Sequence, residues 1–253
     1  MFLLLAAVAA PLLLSGCGRG LDAEQLRRFQ AAQAAFDKAS RPEDFQRVAA
    51  MYQEMLDAGL DSGAVLYNQG NAYVRAKQTG RAIAAYRHAQ RYRPRDQALE
   101  ANLGYVLRGE TPAAGRRPLV ETLLFWQNSL SYAEKFYVVA TTAGAAFLLA
   151  LAALIWRRRL WKRLMLAVLV LTAMASFSAA YDWYRYQYTV HGVIVQPKVV
   201  ARKGNANSYE PAFTEALSEG AEFRLIERRG DWLLVQLPGD EEGWVQEDAA
   251  ALY

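Results

Sequence analysis

The sequence predicts a multidomain protein in which α-helical hairpins come first, a hairpin of two membrane-spanning helices follows, and a small all-β barrel ends the chain. Two uncharged apolar runs, Phe136–Trp156 and Leu164–Tyr181, predict the membrane hairpin. As helices, both are long enough to cross a hydrocarbon layer of roughly 30 Å. Residues 22–108 have apolar side chains at helical spacing, whereas residues 189–253 contain short β-type segments separated by Gly and Pro.

The segment between the apolar runs determines the predicted topology. It holds five basic residues within seven positions: Arg157, Arg158, Arg159, Lys162 and Arg163. Short loops rich in Arg and Lys stay on the cytoplasmic side. We therefore predict spans over 135–157 and 164–182, joined by a cytoplasmic loop over 158–163. Both soluble parts are then expected on the periplasmic, exported face of the bacterial inner membrane.

Composition excludes several function classes. The net charge is +4, and the basic segment alone accounts for more than that, so the soluble parts are nearly neutral and nucleic-acid binding is not predicted. A single cysteine permits neither an internal disulfide nor a thiolate zinc cluster. His88 and His191 have no nearby ligand or base partner in the sequence, and no Gly-rich phosphate loop is present. We predict no enzyme activity, no metal and no cofactor.

Residues 1–17 are predicted to be an export signal. Phe2–Leu14 is an apolar stretch of the length of a signal h-region, too short to span a membrane. The following Leu14-Ser15-Gly16-Cys17 resembles the lipobox of bacterial lipoproteins, which implies lipidation of Cys17. The alternatives are an ordinary signal peptide cleaved elsewhere or a cysteine buried by chance, and the lack of Lys and Arg at the extreme N-terminus argues against the lipobox.

One segment, roughly 63–96, resembles a tetratricopeptide repeat. The matching positions are Leu66, Gly70, Tyr73, Ala82, Tyr86, Ala89 and Pro94. Gln69 departs from the pattern. The resemblance implies two antiparallel helices, with a degenerate repeat over Leu21–Ser40 and Glu43–Ala58 before them and a capping helix from Gln97 after them.

In this repeat family the first helices line a groove. Asn68 and Asn102 lie one 34-residue period apart, at a position that in the family often bonds the backbone of an extended peptide. Tyr67, Asn71 and Arg75 are expected on the same groove, where Arg75 can meet a carboxylate. The alternative is that all five residues form a solvated helix face.

Residues 109–134 are predicted to contain a linker and a short amphipathic helix. Thr111–Pro118 is rich in Pro, Gly and Ala, and Leu119–Leu130 has an apolar stripe. That helix either lies in the membrane interface or packs on the helical repeats, and the sequence leaves both open. Within the first span, Gly144, Ala145 and Ala146 are expected to let the two spans pack closely.

The C-terminal part changes to a β pattern. Predicted strands cover Val190–Val195, Val199–Arg202, Glu222–Glu227, Trp232–Leu237 and Gly243–Val245. Three motifs, Glu219-Gly220, Arg229-Gly230-Asp231-Trp232 and Gly243-Trp244-Val245, resemble bacterial SH3-like domains in order and spacing. The resemblance covers residues 190–253 and implies binding of cell-wall material or peptides.

An aromatic ligand face is predicted on this domain from Trp232, Trp244 and Tyr209, the last in the long loop 204–216. The alternative is that at least one tryptophan fills the barrel core.

The complete order of segments resembles the BatE-like proteins of bacterial aerotolerance (Bat) operons, as does the stretch Trp126–Ser131 before the first span. The resemblance implies protein partners, namely von Willebrand factor A-type Bat proteins and a MoxR-type AAA+ ATPase, in envelope stress tolerance or assembly. We expect a membrane-anchored scaffold that binds proteins or peptides in the repeat groove. The alternative is a peptidoglycan-binding module that acts through the SH3-like domain.

Overall fold

The computed structural model describes residues 22–107, 127 and 129–253. The predicted signal peptide, Cys17 and nearly all of the linker with its amphipathic helix lie outside the described residues. Within them the coarse prediction is confirmed: a helical region is followed by two long apolar helices and then by a small antiparallel sheet.

Five helices form the first part of the described chain. They are α1 (Ala23–Lys38), α2 (Pro42–Asp57), α3 (Gly63–Arg75), α4 (Thr79–Tyr92) and α5 (Gln97–Leu107). Local sequence signals set their starts: Asp22 forms a capping box with Gln25, Pro42 occupies the first turn of α2, and the Ser62 hydroxyl caps α3. The turn between α3 and α4 includes Lys77 with a φ of 60°.

Small residues bring α3 and α4 together around a tyrosine. Tyr86 is almost completely buried, as are Ala82 and Ala89 on the same helix. A Cβ atom on Gly70 would lie 2.4 Å from the Tyr86 ring, so only glycine permits this approach. Tyr52 on α2 is equally buried and belongs to a neighbouring apolar cluster that joins α1, α2 and α3.

Two long helices follow, α6 (Tyr132–Trp156) and α7 (Arg159–Tyr188), and both are long and apolar enough to cross a membrane. Most of their side chains are exposed, unlike those of a core helix in a soluble protein. Only Arg157 and Arg158 separate the two helices. The backbone of Arg157 adopts the left-handed helical conformation, with a φ of 47°. Arg159, Lys162 and Arg163, predicted as part of the loop, lie in the first turns of α7, because Arg and Lys favour helix.

The contact between α6 and α7 differs from the prediction. Ala146 and Ala153 are buried against α7, whereas Gly144 and Ala145 are exposed. Residues seven or eleven positions apart share one helix face, so Ala146 and Ala153 align with Lys135. Gly144 lies on the far side of α6, and the prediction that it serves this contact was wrong.

A buried ion pair joins the two long helices at the end opposite the basic turn. Lys135 on α6 contacts Asp182 on α7, and their side chains are only 3% and 6% exposed. The Lys135 Nζ also donates to the carbonyl oxygen of Gln127 at 2.7 Å, and the Gln127 amide donates to Asp182 Oδ1 at 2.6 Å. The Ser178 hydroxyl donates to Gln127 Oε1. Both charges are therefore hydrogen-bonded as well as paired, as buried charges require.

The sheet has five antiparallel strands in the order β4-β3-β2-β1-β5. They are β1 (His191–Ile194), β2 (Glu222–Arg229), β3 (Trp232–Gln236), β4 (Glu242–Gln246) and β5 (Ala250–Leu252). The sequence did not predict β5, which pairs with β1. The predicted strand over Val199–Arg202 is replaced by isolated bridges from Val199 to Leu217 and from Arg202 to Pro211 and Trp244. One face of the sheet buries Leu233, Val235 and Val245 completely.

The sheet packs directly on α4. Val193 of β1 is buried in the same apolar cluster as Ile83 and Tyr86. At the start of α4 the backbones of α4 and β1 lie so close together that a Cβ atom on Gly80 would be 2.3 Å from the carbonyl oxygen of Ile194. The helical hairpins and β1 therefore share one apolar cluster, while the rest of the sheet has its own.

A bidentate ion pair also joins α4 to the sheet. Arg87 donates from Nε and Nη2 to the Glu222 carboxylate at 2.7 and 2.9 Å, and the Tyr253 hydroxyl donates to it at 2.9 Å. Burial raises the pKa of Glu222, but the hydrogen bonds and charge of Arg87 outweigh it and hold the pKa below its ordinary value of 4.5. The pair therefore contributes its full stability above that value and loses it as the pH falls through the lowered pKa.

We expect Gly80→Ala to weaken the contact between α4 and the sheet, since the new methyl group meets backbone that cannot move aside. Overpacking of this kind costs about 1–3 kcal/mol. The matched control is Gly104→Ala on α5, where a Cβ atom meets nothing within 4 Å. Thermal unfolding of the full-length protein in mild detergent measures both. Equal melting temperatures for the two variants would contradict the close approach.

We expect Asp182→Ala to destabilise the protein strongly, because it leaves the Lys135 charge buried without its partner. Such a loss costs about 3–5 kcal/mol, whereas replacing both partners with apolar residues is often nearly neutral. The double variant Lys135→Met/Asp182→Leu should therefore unfold closer to wild type than Asp182→Ala does, in the same thermal assay. A double variant that is less stable than Asp182→Ala would contradict this account.

Candidate functional site

Three of the five predicted groove residues meet between α3 and α5. The Asn102 amide donates to the Tyr67 hydroxyl at 3.0 Å and to Asn71 Oδ1 at 2.9 Å. The buried Tyr86 hydroxyl donates to the same Asn71 oxygen at 2.7 Å. We call Tyr67, Asn71 and Asn102 the groove cluster. Its members are partly exposed, and it rests on the buried Tyr86.

The fourth residue, Asn68, contacts a different tyrosine. Its side chain lies beside the hydroxyl of Tyr52, whose pKa burial raises to about 12 although Asn68 lowers it. Tyr86 lies 34 residues after Tyr52, and Asn102 lies 34 residues after Asn68. The Asn102 side chain likewise interacts with the Tyr86 hydroxyl. The two tyrosine–asparagine pairs thus lie one 34-residue period apart.

The exposed surface beside the groove cluster continues on α5. Ala101 and Tyr105 lie one period after Tyr67 and Asn71, and both are exposed, Tyr105 by 67% of its surface. Tyr105 follows Asn102 by one helical turn, on the same face. Sequence reasoning missed Tyr105, although adding one period to Asn71 identifies it.

The fifth residue, Arg75, follows Asn71 by one helical turn on α3 and is exposed. Its guanidinium stacks over the buried Phe45 ring, 4.6 Å from the ring centroid. Within the described residues the Arg75 guanidinium forms no ion pair and no hydrogen bond, so its N–H groups remain available. Arg93, paired with Asp96, stacks similarly 5.3 Å over Tyr67. The groove cluster therefore borders positive charge on its Tyr67 side.

The cluster can hydrogen-bond to a polymer backbone. Within the described residues, the Asn71 amide nitrogen and the Tyr67 hydroxyl hydrogen have no protein acceptor. Together they offer donors beside an exposed aromatic ring, which suits an extended peptide more than a reacting group. Among the same residues, no cluster of His, Cys, Asp or Glu is able to hold a metal ion.

The two histidines lie in separate places. His88 on α4 has its Nε2 3.8 Å from Asp61, and burial lowers its pKa. His191 stacks on Tyr253 across the edge of the sheet. Neither adjoins the groove cluster.

The predicted aromatic face of the sheet is only partly formed. Trp232 and Trp244 lie on neighbouring strands on the same face, opposite the buried core residues. Trp244 is only 8% exposed, and Arg229 covers it with its guanidinium 5.1 Å from the ring centroid. Tyr209 is half exposed and packs against Gly204. Its loop is tied to the Trp244 strand through Arg202, which bonds the backbone of both residues.

Two open clefts flank the contact between α4 and the sheet. One, of about 950 Å³, lies between α5 and the segment 212–222, and the other, of about 570 Å³, lies between α2–α4 and β5. Neither includes the groove cluster or the two tryptophans. Both candidate sites are therefore open surfaces, a shape that suits a polymer better than an enclosed small molecule.

Comparison with known proteins gives no further indication of function. No protein-family model matches the chain, and neither a curated protein nor a solved structure is significantly similar to it. The functional conclusion rests on the sequence and the contacts described above.

Proposed function

We propose that this protein is a membrane-anchored scaffold of the bacterial envelope that binds an extended segment of another protein across the groove cluster. The observation that carries the proposal is the meeting of Tyr67, Asn71 and Asn102, continued by the exposed Tyr105. The 34-residue recurrence of the tyrosine–asparagine contacts supports helical repeats of the tetratricopeptide type. Such repeats present their first helices as a concave binding surface.

The chemistry of the groove favours a peptide as the ligand. An asparagine amide can both donate to and accept from a peptide backbone, which makes contacts that depend little on side-chain sequence. Tyr105 adds an aromatic surface, the residue type that is enriched where partners bind. Arg75, exposed at the end of α3, adds a positive charge that favours an acidic segment.

The location and partners follow from the same proposal. The two long apolar helices anchor the protein, and the basic turn at Arg157–Arg163 favours a cytoplasmic position for that end. The hairpins and the sheet then lie on the exported face. By resemblance, the partners are von Willebrand factor A-type Bat proteins within a system that includes a MoxR-type ATPase.

Site-specific cross-linking in cells tests the proposal. We expect p-benzoylphenylalanine in place of Tyr105 to form a covalent adduct with a partner protein upon illumination, since the ring is exposed beside the groove cluster. The matched control carries the same residue in place of Leu26, which is 43% exposed on α1. Adducts are identified by mass spectrometry. Adducts from Leu26 alone, or none from Tyr105, would contradict a groove at this position.

A second pair of variants separates binding from folding. Asn71→Asp replaces the outward amide nitrogen with an oxygen and keeps the oxygen that accepts from Tyr86 and Asn102, so it should reduce the adduct from Tyr105 while the hairpin stays folded. Tyr52→Phe removes only the hydroxyl that contacts Asn68 and should leave the adduct unchanged, although it lowers stability by about 1 kcal/mol. Equal adduct yields from all these variants would exclude the groove cluster as the binding surface.

A second candidate function is binding of peptidoglycan through an SH3-like face. It is favoured by the shared face of Trp232 and Trp244 and by the exposed Tyr209 beside that strand. Aromatic rings provide flat apolar surfaces for such a polymer.

If this second function is correct, the full-length protein in detergent should co-sediment with purified peptidoglycan. Trp232→Ala should reduce the sedimented fraction, since its side chain is more exposed than that of Trp244. Tyr105→Ala is the control and should have no effect. Protein that stays in the supernatant would exclude this candidate without affecting the groove proposal.

A further inference from the structure

A group of arginines converges where α7 meets the soluble part of the protein. The ring of Tyr186, in the last turn of α7, lies close to two guanidinium groups. Arg91 of α4 is 5.0 Å from the ring centroid and Arg185 is 5.8 Å from it. Arg224 extends the group, because it is paired in register with His191, the first residue of β1. Three different elements thus place positive charge around one short segment.

These charges lack acidic partners within the described residues. No carboxylate there forms an ion pair with Arg91, Arg185 or Arg224, and the Arg224 guanidinium donates only to the neutral Gln236. Of the nearby acids, Glu222 is paired with Arg87, and Asp182 is buried with Lys135. The local excess of positive charge is consistent with the lowered pKa of His191, which burial and then Arg185 and Arg91 produce.

The stacking leaves these guanidinium groups able to bind an anion. Arg91 and Arg185 lie beside the Tyr186 ring, and within the described residues neither guanidinium donates a hydrogen bond to another side chain, so their N–H groups remain available. A guanidinium edge matches the oxygens of a phosphate group in two parallel hydrogen bonds. Arg185 and Arg224 are exposed, so a ligand can reach them.

The position along α7 indicates where that phosphate would come from. The apolar run ends at Tyr181, and at about 1.5 Å per residue Arg185 lies about 6 Å beyond it. That is the depth of the headgroup layer for a helix that crosses the hydrocarbon core. The surrounding Trp183, Tyr184 and Tyr188 are all more than half exposed, as expected for aromatic residues at a membrane interface.

We propose that Arg91, Arg185 and Arg224 form a binding site for the phosphate of an anionic phospholipid headgroup, in the leaflet next to the soluble part. Because Arg91 belongs to α4 and Arg185 to α7, a lipid bound there connects the soluble part to the membrane helices. The site is independent of the groove cluster and of any partner protein.

Hydrogen exchange of the full-length protein in nanodiscs tests this proposal. The readout is the exchange of residues 185–194 in phosphatidylglycerol discs compared with phosphatidylcholine discs. We expect slower exchange in the anionic lipid for wild type, and loss of that difference in Arg91→Gln/Arg185→Gln. The matched control, Arg158→Gln/Arg163→Gln, removes two charges at the opposite end of the helices and should keep the difference.

Two further arms make the result decisive. Arg91→Lys/Arg185→Lys retains both charges and should keep part of the protection that the Gln variant loses. Inorganic phosphate added to phosphatidylcholine discs should have no effect on wild type. The proposal is overturned if the Gln variant keeps the lipid difference, if the Lys variant loses all of it, if the control variant loses it, or if free phosphate reproduces it.

Discussion

The packing of α4 against the sheet is the contact on which the rest of the soluble structure depends. Gly80 lets the helix touch the backbone of β1, Val193 enters the helical core, and Arg87 binds Glu222 through two hydrogen bonds. The apolar contact and the ion pair lie on the same helix. When α4 packs on β1, Arg87 is therefore also placed next to Glu222. The hairpins and the sheet therefore form one body, although they differ in structural class and are separated in sequence by two long helices.

The same helix also links this body to the long helices. Arg91, in the last turn of α4, stacks on Tyr186, and Arg95, just beyond that helix, pairs with Glu134 at the start of α6. The Lys135–Asp182 pair with Gln127 holds α6 and α7 together at that end. One face of α4 is thus occupied by the sheet and its last turn by α7. The groove cluster, on α3 and α5, lies outside both of these contacts.

Much of this architecture is readable from the sequence, because it depends on periodicity and length. The apolar runs predict the long helices, and the spacing from Leu66 to Pro94 predicts the α3–α4 hairpin. Two features were not predicted, because they depend on contacts between segments that are distant in the sequence. The strand β5 is three small or apolar residues, and only pairing with β1 makes it a strand. The Lys135–Asp182 pair joins residues 47 positions apart, although opposite charges at matched ends of two antiparallel apolar runs are a signal that sequence analysis can use.

In the candidate site, too, the sequence pattern predicts which residues matter, whereas only the structure gives their contacts. The repeat pattern identifies Asn68 and Asn102, and each of them lies beside a buried tyrosine of the preceding helix. Asn102 is also held by its bonds to Tyr67 and Asn71, so its side chain loses little further freedom when a ligand binds. Removing Asn102 therefore disturbs the fold and the surface together. The Asn71 oxygen accepts from Tyr86 and Asn102, whereas its amide nitrogen is directed away from these contacts, so a change that removes the nitrogen and keeps the oxygen can separate recognition from stability.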